Sequence, residues 1–347
     1  MLPKDRALSS TLVEAGQAGT WLSSITRRVL ASCPLAFALL CCLCDAPRDN
    51  PLDPALGGNI DGRALTRRAT GIPGAEVLVP GANLITHTDS SGRFFLRGLS
   101  EDSLWVLLSA EGYAPESARV DPKKGRIDSL TCYLNGLPYL TAGLITTHVY
   151  GQSWPPEPLY FCRLTAQAGD RDGDADVDSV WAEIPGIGFS QRLVFDPDSD
   201  EFIYTLWGNS IPGQSLETLV GLPVTFKAAD EMDDVSYTLG QGVSRIIYDL
   251  PEPVFPAGGL DTVATDTAFI WQCFNHGFWV RYHNEVVRIQ GGGPAGVVAE
   301  FDGAEPTDTT YRFSSALLQP GDYYWTVEAI DAFGNSARSA EELFHAR

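Results

Sequence analysis

Leu317-Leu318-Gln319-Pro320-Gly321-Asp322-Tyr323-Tyr324-Trp325-Thr326-Val327-Glu328-Ala329-Ile330-Asp331-Ala332-Phe333-Gly334-Asn335 is the stretch that decides the fold class. Between a Pro-Gly break and an Asp-to-Asn turn, it alternates with a period of two. Tyr323, Trp325, Val327 and Ala329 share one face, and Tyr324, Thr326 and Glu328 share the other, so one side packs while the other is wetter. Working outward, short apolar and β-branched runs recur from Asn59 onward between Gly, Pro, Asn and Asp clusters, with no sustained helical period. Gly 34 and Pro 23 in 347 residues put a breaker at about one position in six, too many for a helical protein. The chain reads all-β.

At roughly 150 residues per domain, this length predicts two or three domains. Breaks near Leu137-Pro138 and at Pro251-Glu252-Pro253-Val254-Phe255-Pro256 divide it into pieces 59–140, 141–252 and 253–347, each the size of an immunoglobulin-like sandwich. The formal charge of −20 repels phosphate backbones and argues against nucleic acid as a partner.

The first piece contains Gly74-Ala75-Glu76-Val77-Leu78-Val79, Thr88-Asp89-Ser90-Ser91-Gly92-Arg93-Phe94-Phe95-Leu96 and Leu104-Trp105-Val106-Leu107-Leu108. Asp89 is expected to bond back to the backbone, with Gly92 left-handed, closing a tight hairpin that aims Phe94 or Phe95 inward. This set resembles the carboxypeptidase regulatory-like domain, which implies a transthyretin-type sandwich and no peptidase activity. The third piece, with Phe269-Ile270-Trp271, Phe278-Trp279-Val280-Arg281-Tyr282 and the opening stretch, resembles a fibronectin type III or related immunoglobulin-like domain. That resemblance puts Trp271 in the early-strand core and makes Asp331 to Asn335 the last hairpin turn. The middle piece is expected to be a sandwich as well, on Leu159–Leu164 and Leu222–Ala228. The predicted fold is a tandem of immunoglobulin-like and transthyretin-like β-sandwiches after an N-terminal signal segment.

That segment is residues 1–44. Arg27-Arg28 precede an apolar run from Val29 to Cys44, of signal-peptide length and short for a bilayer span, and residues 45–58 begin a polar, proline-stiffened tether. Without residues 1–44 the chain keeps 20 basic and 42 acidic side chains, a charge of −22. The pattern resembles a bacterial lipoprotein, which implies acylation of a cysteine closing the run: Cys44, in preference to Cys42, Cys41 and Cys33. Thr26-Arg27-Arg28-Val29-Leu30 is also similar to a twin-arginine export signal. Cys132, Cys162 and Cys273, one per piece, read as buried apolar filler without disulfides.

The sharpest chemical feature is Asp170-Arg171-Asp172-Gly173-Asp174-Ala175-Asp176-Val177-Asp178, carboxylates at alternate positions. Bunched carboxylates favour a hard cation such as Ca²⁺, although glycine stands fourth and Trp181 twelfth, unlike an EF-hand loop. In immunoglobulin order this loop and Asp230-Glu231-Met232-Asp233-Asp234 fall at one end of the middle sandwich, which makes Asp170, Asp172, Asp174 and Asp230 the leading ligands. The competing reading is a solvated acidic hairpin. Asp196-Pro197-Asp198-Ser199-Asp200 reads as a turn. Trp154 and Trp207 are candidate sugar-stacking residues, with a core position the more common use of Trp in small sandwiches. His276 and His283 fall on opposite sheet faces, and His87, His148, His276, His283 and His345 make no metal-ligand spacing.

No catalytic residue is identified. The sequence reading is therefore an exported lipoprotein of the cell envelope, held at the outer membrane, its periplasmic face or the cell surface. It carries small sandwiches with sealed interiors and no deep pocket. Its expected partners are the membrane, through the lipid, and an envelope protein or polysaccharide. The alternatives are an accessory protein of carbohydrate-active enzymes and a Ca²⁺-stiffened adhesin.

Overall fold

The computed structural model describes residues 57–347 except Glu101, Leu260, 264–266, 273–276, 304–308 and 314–317. The signal segment, Cys44, most of the tether, Cys273 and His276 lie outside the described residues. Among the described residues there are strands and single 3-10 turns, and no α-helix.

The first seven strands are β1 (Gly58–Thr66), β2 (Glu76–Val79), β3 (Leu84–His87), β4 (Arg93–Leu99), β5 (Leu104–Ser109), β6 (Glu116–Val120) and β7 (Ile127–Leu134). They form two sheets, β4-β1-β7 and β3-β2-β5-β6, with β1 and β7 parallel. Alternate residues of both sheets, among them Ile60, Ala64, Val77, Leu96, Val106 and Leu134, close one core. The turn into β4 forms for the expected reason. Asp89 Oδ1 accepts the amides of Ser91 (2.8 Å) and Arg93 (3.0 Å), and Gly92 sits at φ +77°. A Cβ on Gly92 would lie 2.4 Å from the Ala64 carbonyl oxygen. Phe94 is the ring that enters the core, while Phe95 faces out beneath Arg97.

Next come β8 (Pro138–Tyr150), β9 (Leu159–Asp170), β10 (Val177–Ile184), β11 (Phe189–Arg192), β12 (Val194–Asp196), β13 (Glu201–Trp207), β14 (Val224–Asp230) and β15 (Val235–Gly240). Sheet β11-β10-β14-β15 faces β12-β13-β9-β8 across a core that includes Ile145, Leu164, Val180, Leu206 and Phe226. Strand β8 begins at Pro138, directly after the connection formed by residues 135–137. Cys132 and Cys162 are buried, and burial pushes their thiols up to about 11 and about 12.

The last strands are β16 (Glu252–Phe255), β17 (Thr262–Val263), β18 (Thr267–Gln272), β19 (Val280–Gln290), β20 (Gly293–Asp302), β21 (Thr310–Phe313), β22 (Gly321–Asp331), β23 (Ser336–Arg338) and β24 (Glu342–Ala346). Sheet β16-β18-β21 faces β22, its neighbours β19, β23 and β24, and β20 beyond β19, an immunoglobulin-like sandwich. The alternation along β22 holds: Tyr323, Trp325, Val327 and Ala329 are all buried, and Phe269, Trp271, Tyr282 and Phe344 meet them. Asp331 Oδ1 accepts the amides of Phe333 (2.8 Å) and Asn335 (2.9 Å). Asp230 repeats this pattern with Met232 and Asp234, so one sequence device, Asp two and four residues ahead of its donors, closes three turns. Those at Asp230 and Asp331 are hairpins, whereas the Asp89 turn, expected as a hairpin, carries the chain from β3 in one sheet to β4 in the other.

The middle and third sandwiches are not separate beads. Strand β23 pairs in parallel with β8, Ser336 opposite His148 and Arg338 opposite Tyr150, so both contribute to one ten-stranded sheet. Asn335 ties the seam: its Oδ1 accepts both the amide and the hydroxyl of Thr147 at 3.0 Å. His148 lies in the same seam, with Nδ1 2.8 Å from the Ser336 hydroxyl and Nε2 2.8 Å from the Thr146 hydroxyl.

Candidate metal centre

The loop after β9 and the loop after β14 reach the same end of the middle sandwich, because β10 pairs with β14 and brings Val177 opposite Asp230. The Glu231 amide closes the gap, donating to the Asp176 carbonyl at 3.1 Å. Asp170, Asp172 and Asp176 each present an oxygen to one point, these atoms lying within 4.8 Å of one another. Asp170 and Asp172 are 4 % exposed. One oxygen of each is engaged: Asp170 Oδ1 accepts the Asp172 amide and Asp172 Oδ2 accepts the Gly136 amide, both at 2.7 Å. The other oxygens, Asp170 Oδ2 and Asp172 Oδ1, are buried without a hydrogen-bond partner, as is Asp176 Oδ2.

Unpartnered carboxylate oxygens in low dielectric are costly while charged. Burial, followed by the neighbouring charges of Asp176, Asp172 and Asp230, pushes the Asp170 carboxyl up to about 6. Asp176 is raised as well, by burial and by Glu231, Asp172 and Asp230, with the Arg67 guanidinium pulling the other way.

Two of the four expected ligands, Asp170 and Asp172, stand in this cluster. Asp230 stands beside it, 2 % exposed, with Oδ1 bound to the amides of Met232 and Asp234 and Oδ2 accepting Asn135 Nδ2 at 2.6 Å. Asp174 does not join it and is exposed; Asp176 takes its place. Alternate residues share a face only in extended chain. Here Gly173 takes φ +112° and Asp174–Asp176 is a 3-10 turn, which swings Asp174 outward. The sequence reading also missed Asn135 and Gly136, which reach the loop from the connection between β7 and β8.

Asp174 instead lines a second feature, an open pocket of about 870 Å³ with Tyr139, Asp178, Arg192, Phe195, Asp200 and Phe202 around it. This corrects the expectation of sealed interiors. Around Leu193 the chain leaves one sheet, as β11, and enters the facing one, as β12, so the two sheets part at that corner. Trp154 and Trp207 are corrected too: they are 85 % and 47 % exposed, Trp207 resting against Phe161. The Asp196 turn is as expected, Oδ1 accepting the Asp198 amide at 3.1 Å. His283 faces Asp302 and Glu285, which raise it to about 9.

The Ser336–His148 pair has the composition of a nucleophile and base but not the setting. Ser336 is 1 % exposed, His148 is 7 % exposed, and burial lowers the imidazole to about 4, so the pair is a neutral structural joint with no room for substrate.

No family model and no curated protein matches the chain. Among solved structures it is similar to the major pilin subunit BcpA of Bacillus cereus (10% identity, 81% of this chain and 91% of that one, TM-score 0.30). It is also similar to the FN1–FN3 domains of chicken CNTN1 (12% identity, 80% and 92%, TM-score 0.30). A third is a tetra-tandem repeat from the extending region of a large adhesion protein (13% identity, 83% and 73%, TM-score 0.16). TM-scores this low leave the fold assignment to the strand pairings described above.

Proposed function

We propose that this chain is an exported, lipid-anchored cell-envelope protein whose sandwiches form a non-catalytic scaffold or adhesion array. The observation that carries the reading is the apolar run Val29 to Cys44, preceded by Arg27-Arg28 and followed by a polar, proline-rich tether. Acyl chains on Cys44, at about 0.8 kcal/mol per buried methylene, give an anchor that the acidic body does not pull from the membrane. The seam between β8 and β23 supports a spacer role, since a shared sheet resists bending at that joint. The two sheets β4-β1-β7 and β3-β2-β5-β6 support the carboxypeptidase regulatory-like, transthyretin-type reading of the first unit, and the strand order of the third supports a fibronectin type III-like one.

The test is intact-mass analysis of protein extracted from the membrane of the producing bacterium. The expected species starts at Cys44 and carries acyl chains, and Cys44→Ser releases the protein from the membrane fraction. An unacylated chain in the soluble fraction of the wild type overturns the anchor.

The pocket at the β11–β12 corner favours a second reading, binding of a polysaccharide. Tyr139, Phe195 and Phe202 offer ring faces, while Asp174, Asp178, Asp200 and Arg192 offer hydrogen bonds to hydroxyls. Screening against soluble polysaccharides should show retention without release of reducing ends, weakened about fivefold by Phe195→Ala. Sugar release would make the chain an enzyme, and no retention would remove this reading.

A further inference from the structure

We propose that Asp170, Asp172 and Asp176 hold a Ca²⁺ ion that fastens the first sandwich's exit segment to the middle sandwich. The inference does not depend on the lipid anchor. It rests on three carboxylate oxygens, Asp170 Oδ2, Asp172 Oδ1 and Asp176 Oδ2, that are buried and have no hydrogen-bond partner. These belong to residues whose ligand atoms converge within 4.8 Å.

A hydrogen-bond donor would satisfy one such oxygen. Three carboxylates that converge, each with a buried unpartnered oxygen, call for a cation, and an all-oxygen set with no His or Cys selects a hard one. The surroundings agree with that choice. Asp230, Asp234 and Glu231 add negative charge from the β14–β15 loop. Arg67, whose guanidinium donates to Asn135 Oδ1 at 3.4 Å, offsets part of the charge on Asp176. Ca²⁺ tolerates an irregular shell of six to eight oxygens and fits a loop that offers carboxylates, backbone carbonyls and water. Mg²⁺ demands a regular octahedron and gives up its water reluctantly.

The same residues define the joint. Asp172 Oδ2 holds the Gly136 amide, and Asn135 Nδ2 bridges Asp230 (2.6 Å) and Asp234 (3.0 Å). Asn135 and Gly136 are the residues through which β7 passes to β8. Arg171, inside the loop, lies over the Tyr113 ring of the first sandwich at 5.8 Å. An ion that sets the positions of Asp170, Asp172 and Asp176 therefore sets the angle at which the first sandwich meets the middle one.

The experiment is calorimetric titration of the full chain, solubilised in detergent and stripped with chelator, with CaCl₂ and separately with MgCl₂ at pH 7.5. One saturable Ca²⁺ event is expected, with Mg²⁺ weaker. Asp172→Asn, which keeps an oxygen for the Gly136 amide, and Asp176→Asn should each weaken it by about tenfold or more, whereas Asp174→Asn should leave it unchanged. In limited proteolysis, Ca²⁺ should protect residues 135–137 of the wild type but not of Asp176→Asn. Far-ultraviolet circular dichroism checks that each variant is folded. If Asp172→Asn does not fold, Asp176→Asn alone decides. The proposal is overturned by no Ca²⁺ heat, by tighter Mg²⁺ than Ca²⁺, by equal losses in Asp174→Asn and Asp176→Asn, or by protection that ignores calcium.

Discussion

Trp325→Ala should destabilise the third sandwich by about 4 kcal/mol, in the range found for removing a large aromatic ring from a closed core. Trp325 is 0 % exposed, midway along β22, and two neighbours fix its orientation. Phe269 meets it edge-on at 5.0 Å, Phe344 packs behind Phe269 at 5.5 Å, and the indole N–H donates to the Pro256 carbonyl at 2.7 Å. Alanine would leave a cavity between two sheets that cannot collapse, since each is held by its own ladder, and would leave a buried carbonyl without its donor. Trp325→Phe separates the two contributions by keeping most of the volume and losing only the hydrogen bond, about 1 kcal/mol. Trp154→Ala is the control, because an 85 % exposed ring should cost no more than about 0.5 kcal/mol. Guanidinium unfolding followed by far-ultraviolet circular dichroism gives all three values. A Trp325→Ala loss below that of Trp325→Phe would refute the packing argument.

The second large effect is on pH. Burial, with Arg163 adding to it, lowers His148 from 6.5 to about 4 in the folded chain. Above 6.5 the imidazole is neutral whether the chain is folded or not, and its contribution is constant. Between 6.5 and about 4 the unfolded chain takes up a proton that the fold refuses, so stability falls on acidification by about 1.4 kcal/mol per pH unit, roughly 3 kcal/mol in all. Two groups act differently. His283, raised to about 9, loses its contribution as pH rises from 6.5 towards 9, outside this window. Asp170, raised to about 6, works the opposite way within it, since stability is regained as pH falls from 6 towards 3.8. Comparing wild type with His148→Gln cancels both. In urea unfolding at pH 7 and pH 5, the wild-type advantage over His148→Gln should shrink by about 2 kcal/mol at the lower pH. Parallel curves for the two proteins would mean that His148 is protonated in the fold.

How far the sequence could be read depended on the range of each interaction. The period along Tyr323–Ala329 survived because neighbouring strand residues must point to opposite faces whatever lies across from them. The turns at Asp89 and Asp331 survived because donor and acceptor are four residues apart or fewer. The metal cluster was legible only in part. Opposing the Asp170 and Asp230 loops needed nothing beyond the order of strands, but the exchange of Asp174 for Asp176 hinged on a single 3-10 turn after Gly173. Asn135 and Gly136 carried no signal, since an Asn-Gly pair between strands reads as any turn.

By itself, then, the sequence determined the strand content, the face of each strand, the closing turns and the acidic character of one sandwich end, because these follow from local sterics and patterning. Tertiary structure alone decided that β8 and β23 join two sandwiches into one sheet, that β11 and β12 part around a pocket, and that three carboxylates keep oxygens free at a joint between sandwiches. Those outcomes depend on contacts such as Asn335 with Thr147, 188 residues apart, which no local pattern encodes. They are settled by which surfaces find each other once the cores have formed.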